Sequence, residues 1–265
     1  MRKLPIFTAL FLIAVFPSFA QEKIDPVKFD FSRKDTSPQR VILPIKLASS
    51  EELDSLRLDM TLDGVECKQT EGQAGLLSGK LSTYRFGDTV EIEIRLGRDD
   101  GKPMLLIKPY AISKTDKGKE KRVAVSLVAL EASIAKDRKL SDSLTEEVKK
   151  REEHLSACRA EERELDANLS PALTAALETQ NPQQKAALFA EHRRMEIRIN
   201  QIRTSIFSQK KALTAAKKRA TPLGPQIESD TKVVAALKEI QSKASLKFRA
   251  HARINGTDTV VAETR

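Results

Sequence analysis

The sequence predicts an α+β protein: an antiparallel β-sandwich, Ig-like, into which a long antiparallel helical hairpin of coiled-coil type is inserted. Three observations carry that expectation. Apolar residues alternate with period two in two N-terminal blocks. From Leu127 they recur at three-four spacing for six heptads. After Leu246 the alternation returns. The expected division is a signal peptide over 1–20, a β-sandwich domain over 21–120, a helical insertion over 121–245, and a C-terminal hairpin over 246–265 that completes the sandwich.

The strongest strand signal runs from Thr89 to Leu96. Val90, Ile92, Ile94 and Leu96 point one way and Glu91, Glu93 and Arg95 the other, the pattern of a half-buried strand. Gly97 to Gly101 reads as a turn, and Pro103 to Tyr110 as the returning strand. Upstream, Leu56, Leu58, Met60 and Leu62 alternate with Arg57, Asp59 and Thr61. Asp63-Gly64 follows, a two-residue hairpin signal, which predicts that Val65 to Gln69 pairs back on this strand. Val27 to Phe31 and Val41 to Leu47 are two further expected strands. Short strands separated by glycine turns predict an all-β domain of sandwich type.

Beyond residue 120 glycine almost vanishes and helix formers dominate. The first seam reads Leu127, Leu130, Ile134, Asp137, Ser141, Leu144, Val148, Arg151, Leu155, Cys158, Glu162, Leu165 and Leu169. Val123, Val125 and Leu127 also alternate, so the start of this helix is left open. Nine of the thirteen seam residues are apolar, enough for a coiled coil with polar interruptions. Ser170-Pro171 is expected to cap a short helix at the tip. A second helix starts at Asn181-Pro182, with proline at its favoured first position. Its seam reads Leu188, His192, Met195, Ile199, Ile202, Ile206, Gln209, Leu213 and Ala216. Pro222 and Pro225 are expected to end it. Residues 126–169 carry 8 basic and 11 acidic side chains, whereas 182–220 carry 10 and 2. Complementary charge beside apolar seams selects partners and orientation, so the two helices are expected to pair antiparallel across a connection of about a dozen residues. Self-association through the same seams into a homo-oligomer is the competing use.

A third helix is expected over Gln226 to Ala244, with Ile227, Val234, Leu237 and Ile240 on its apolar side. Leu246, Phe248, Ala250 and Ala252 then alternate with Lys247, Arg249, His251 and Arg253, and Asn255-Gly256 turns the chain back. An isolated hairpin is marginal. This one is therefore expected to complete the N-terminal β domain, which makes the helices an insertion.

Met1 to Ala20 has the three parts of a secretory signal: Arg2 and Lys3, an apolar run Leu4 to Phe16, and the small residues Ser18 and Ala20 before the cut. The run is thirteen residues, short of the roughly 20 a spanning helix needs, so cleavage and export to the periplasm or the cell exterior are expected. No later stretch is apolar enough to span a bilayer. Aromatics are 5% of the chain, with no Trp and two Tyr. That weighs against sugar platforms and against stacking on single-stranded nucleic acid; export also weighs against nucleic acid as a partner. Cys67 in a β segment and Cys158 on a helical seam are expected to lie apart as unpaired buried thiols.

Sequence motifs for chemistry are sparse. His154, His192 and His251 lack the spacing of a zinc protease site, although the two helical histidines can be imagined meeting across the hairpin. His251, on the polar side of its strand, is expected to be solvated. Gly72 to Lys80 lacks the P-loop spacing and its terminal Ser or Thr. Adjacent glutamates such as Glu146-Glu147 and Glu161-Glu162 diverge by about 100° on a helix, so they read as solvated ion-pairing faces. Asp99-Asp100-Gly101 has no terminal Glu for a calcium loop. Asn255-Gly256-Thr257 fits a glycosylation acceptor but reads first as a turn. No catalytic, cofactor or metal site is expected.

The functional expectation follows from architecture: an exported, non-enzymatic binding or scaffold protein. Its coiled-coil arm would contact a protein or an anionic envelope polymer or surface. The candidate interaction surface is the basic face of the second helix: Arg193, Arg194, Arg198, Arg203, Lys210, Lys211, Lys217, Lys218 and Arg219. The order β, helical hairpin, β also resembles the periplasmic membrane-fusion adaptors of efflux and secretion systems. That resemblance is one of topology and implies an arm that docks an outer channel. The paired lipoyl-like half-motifs of those adaptors are not found at 115–125 and 245–255. An enzyme with a site assembled from scattered β-loop residues is the third reading.

Overall fold

The computed structural model describes residues 22–66, 68–71, 81–114 and 118–265, without the side chains of 68–71 and Leu81. The expected signal peptide, Cys67 and the Gly72 to Lys80 loop lie outside the described residues. The chain divides into two compact units. One comprises residues up to Ser126 together with Ala236–Arg265, and the other Leu127–Ala235.

The first unit is built on two antiparallel-rich sheets. In one sheet, β1 (Glu22–Ile24), β2 (Val27–Lys28), β4 (Arg57–Asp63), β10 (Ser245–Ile254) and β11 (Thr257–Thr264) meet around β10. β10 pairs antiparallel with β11, β4 and β2, while β1 runs parallel to β11. The second sheet has the order β3 (Gln39–Ile42), β8 (Lys102–Lys114), β7 (Val90–Asp99), β6 (Leu81–Phe86), β5 (Lys68–Glu71), with β9 (Glu120–Ala124) also on β8. A short helix, α1 (Ser50–Asp54), precedes β4. The C-terminal hairpin is closed by Asn255 (φ 49) and Gly256 (φ 81), the left-handed pair that a two-residue primed turn needs. Its apolar row Leu246, Phe248, Ala250 and Ala252 is buried.

The partner expected for β4 is corrected. Asp63-Gly64 does not close a hairpin: β4 pairs with β10 from Arg57↔His251 to Asp63↔Ser245, and β5 pairs with β6 in the other sheet. The dipeptide has turn chemistry, but the alternating row on β10 supplies a longer apolar match. The expected strands at 27–31 and 41–47 are shorter than their apolar runs, although Phe29, Phe31, Leu43 and Ile45 are all buried. β7 is more than half-buried, because Glu91 on its polar side is 4% exposed. The hairpin after it turns at Asp100-Gly101 alone, so Gly97 lies within the strand.

The second unit is helical. α2 spans Leu127–Glu178 and α3 spans Pro182–Ala220. α4 (Leu223–Lys243) begins in this unit and ends in the first. Every residue of both predicted seams is buried or half-buried. Leu155, Cys158, Ile202 and Ile206 form one apolar cluster, with Leu165 and Leu213 packed against it. At 1.5 Å per residue, α2 is about 78 Å long and α3 about 58 Å.

Three expectations about the helix ends are corrected. Ser170-Pro171 starts no separate helix: α2 runs through Pro171 to Glu178. Proline costs a helix one hydrogen bond and a clash, and the seam continuing through half-buried Ala172 to buried Ala176 offsets that cost. The connection is therefore three residues, Thr179 to Asn181, rather than a dozen. The prolines after α3 bend the chain without stopping it. Thr221 keeps helical angles (φ −50, ψ −45), and α4 resumes at Leu223 instead of Gln226. Among the described residues, no helix is long and apolar enough to cross a membrane.

Candidate functional site

The candidate surface is built on α3. The Asn181 side chain accepts from the backbone N–H of Gln183 (3.0 Å) and Gln184 (3.3 Å), which fixes the first turn. The seam then sets which way each basic side chain faces. Cross-helix contacts give an antiparallel register: Arg198 Nε lies 2.7 Å from Glu161 Oε1, and Arg203 Nε lies 2.7 Å from Glu162 Oε1. Arg203 also reaches Asp166 at 3.1 Å, Lys217 reaches Glu152 at 2.7 Å, and Arg151 donates to Gln209 at 2.8 Å. The Glu161 hydrogen bond holds Arg198 above the usual arginine pKa, and the Glu162 hydrogen bond does the same for Arg203.

This register divides the nine predicted residues. Arg198, Arg203 and Lys217 answer the acidic flank of α2. Arg193, Arg194, Lys210, Lys211, Lys218 and Arg219 are exposed, and among the described residues none of them has a carboxylate within salt-bridge reach. Charge complementarity within the hairpin thus consumes one third of the basic face and leaves two thirds to solvent.

Two apolar residues belong with that face and were not singled out by the seam. Phe207 is 74% exposed and Ile197 is 52% exposed. They fall between the core positions, at the three-four offsets 193, 197, 200, 204, 207, 211 that define the opposite side of the helix. Their apolar character at off-seam positions was the available signal. Leu173 and Leu177 in the last turns of α2, and Phe189 near the start of α3, are also exposed. The register that pairs Arg203 with Asp166 puts Leu173 and Phe189 on one flank beside the connection.

A second polar constellation lies on the β7 face. Arg122 Nε meets Glu91 at 2.7 Å and Arg122 also reaches Glu93 at 3.2 Å. Arg85 lies 3.6 Å from Glu91 and donates to both oxygens of Glu120, at 3.0 and 2.8 Å. The Arg122 guanidinium stacks over Tyr110 at 4.1 Å. Burial, then the neighbouring Glu93 charge, pushes the Tyr110 phenol above its ordinary pKa. The Arg85 hydrogen bond holds the Glu120 carboxyl below its own. The cross-strand partners Arg85↔Glu91 and Lys108↔Glu93 place these charges in one layer. Sequence reading missed it because β9 contributes from beyond the hairpin.

The histidines do not converge. His154 Nε2 is 3.5 Å from Cys158 Sγ on its own helix, and His192 faces Glu196 at 3.9 Å. Arg151 and Gln209 are level with each other, which puts His192 about 20 Å closer to the tip than His154. His251 is not solvated as expected: its side chain is 16% exposed and lies 3.2 Å from Asp59 on β4. Cys158 is a buried free thiol. Ser143, Glu146, Lys150, His154 and Gln209 border an open cleft of about 540 Å³. Its charges are paired within α2, Arg151 with Glu147 (2.7 Å) and Lys150 with Glu146 (3.4 Å), and Arg151 also crosses to Gln209 on α3. Among the described residues no group of three or more His, Cys, Asp or Glu is placed to hold a metal ion. No protein-family model, no curated protein and no solved structure matches the chain.

Proposed function

We propose that the chain is an exported, non-enzymatic binding or scaffold protein, with an Ig-like sandwich as one unit and the coiled-coil hairpin as its binding element. The observation that carries the reading is the set of exposed cations on α3 that the hairpin's own acids leave unpaired. A long two-helix arm offers surface instead of a concave pocket, and an excess of one sign favours an anionic partner in the envelope or outside the cell. The sandwich is supported by Tyr84 of β6, whose hydroxyl donates to the Met60 carbonyl of β4 at 3.3 Å, linking the two sheets.

The test is capture of envelope material by the full-length mature protein and by a variant with Arg193, Arg194, Lys210, Lys211, Lys218 and Arg219 changed to glutamine. A partner held only by the wild type and released by salt supports the reading. Equal recovery by both proteins refutes the basic face as the binding element.

The exposed Leu173, Leu177 and Phe189 beside the connection favour a second reading, a transport adaptor of membrane-fusion type that docks by its hairpin tip. Copurification with a membrane transporter, lost in a Leu177→Glu variant, would favour it over the first.

A further inference from the structure

The outer face of α3 combines charge with apolar side chains in a way that selects among anionic partners. Arg193, Ile197, Asn200, Thr204, Phe207, Lys211 and Lys218 form one stripe opposite the seam. The stripe itself holds no carboxylate; Asp166 and Glu196 border Arg193, Ile197 and Asn200 on one flank, and the cations in the stripe make no salt bridge among the described residues. A soluble polyanion satisfies the cations but leaves Phe207 and Ile197 in water. A second copy of the chain covers the apolar pair only by bringing like charges together. An antiparallel α3–α3 contact centred between Asn200 and Thr204 sets Ile197 against Phe207, but it also sets Arg193 against Lys211, like charge against like. An anionic bilayer satisfies both halves: phosphate groups take the cations, and the headgroup boundary takes the apolar side chains.

We propose that this face of α3 docks on an anionic phospholipid bilayer. Phe207 and Ile197 enter the interface, and Arg193, Lys211 and Lys218 meet lipid phosphates. The inference rests on the reading of the basic face as the binding element. Each cation near an anionic surface adds to the affinity, and the addition is screened by salt.

The chain has no tryptophan, so Phe207→Trp places a single indole, selectively excited at long ultraviolet wavelength, at the proposed point of entry. The full mature chain carrying Phe207→Trp is titrated with vesicles of phosphatidylcholine containing phosphatidylglycerol, and with vesicles of phosphatidylcholine alone. Parallel arms contain inorganic phosphate and soluble polyglutamate. The expected result is a blue shift and quenching by brominated lipid with the anionic vesicles only. Changing Arg193, Lys211 and Lys218 to glutamine in that background is expected to weaken binding by about a hundredfold. Removing the apolar pair by Ile197→Ser with Phe207→Ser, followed by vesicle sedimentation, is expected to weaken it by about tenfold or more. If Phe207→Trp lowers the helix content, Ile197→Trp gives the same readout.

A blue shift without vesicles, accompanied by a dimer in sedimentation equilibrium, overturns the proposal in favour of self-association. Binding to polyglutamate with no response to vesicles overturns it while leaving the basic face as a binding element. If vesicles fail and envelope capture is also insensitive to the six glutamine changes, both readings fall together.

Discussion

Gly64 lies against the last carbonyl of α4: a Cβ built on it would sit 2.0 Å from the Lys243 oxygen. Its φ of +84 is also one that other residues adopt at a cost. The two constraints act together where β4 leaves its sheet and β10 enters it. Gly64→Ala is therefore expected to destabilise the protein by about 2–4 kcal/mol, through strain and displacement of the α4 terminus. Urea unfolding followed by far-UV circular dichroism measures this. A loss below about 0.5 kcal/mol would mean that the α4 end moves aside freely.

Glu91 offers a separate prediction. It is 4% exposed and stands between Arg122 and Arg85. Removing its charge takes one acid from a layer in which Arg122 keeps Glu93 and Arg85 keeps Glu120, and leaves a void on a partly dry strand face. Glu91→Ala is expected to cost about 1–3 kcal/mol, and Glu91→Gln less, because the amide oxygen still accepts from Arg122. Equilibrium unfolding of the two variants orders them, and an alanine variant as stable as wild type would reduce the network to surface decoration.

How far this architecture was legible depends on the range of the forces involved. The α2 and α3 seams were readable to the residue because helical periodicity is local and each seam repeats many times. Positions such as Leu155 and Ile202 needed no knowledge of the rest of the chain. β4 was different. Asp63-Gly64 advertises a hairpin, yet its strand pairs with β10, about 185 residues later, and no local signal ranks a distant strand above a near one. Pro171 and Pro222 were given their usual weight as breakers, and packing overrode the first while the second only bends the path. At the candidate site, the nine basic residues were visible as a set. Which of them the hairpin consumes depended on register, and Phe207, apolar at an off-seam position, was a signal that the seam reading passed over.

Acid should weaken the Arg85–Glu120 pair in a defined direction. Folding depresses the Glu120 carboxyl below its ordinary value of 4.5, chiefly through the Arg85 hydrogen bond. A carboxyl depressed by folding contributes stability above its unfolded pKa, and that contribution disappears as the pH falls through the folded value. Glu120→Gln is thus expected to be less stable than wild type at neutral pH, with the gap constant down to about the ordinary carboxylate range and closing below it. Urea midpoints for both proteins across that pH range test it. A gap that widens on acidification contradicts the assignment.

The contact between Arg198 and Glu161 fixes the register of the hairpin and can be tested by exchange. Their 2.7 Å contact is exposed to solvent on both sides, so its strength is small and salt-sensitive, but its geometry is specific. Arg198→Glu alone sets two carboxylates against each other, and Glu161→Arg alone sets two guanidinium groups together. Each is expected to lower the melting temperature of the helical signal at low salt. The double exchange restores opposite charges and is expected to recover most of the loss, with the recovery fading as salt rises. A parallel arrangement, or a slip by one heptad, would place neither residue opposite the other, and the two losses would then simply add. Rescue by the double exchange, measured by circular dichroism against temperature, therefore separates the antiparallel register from its alternatives.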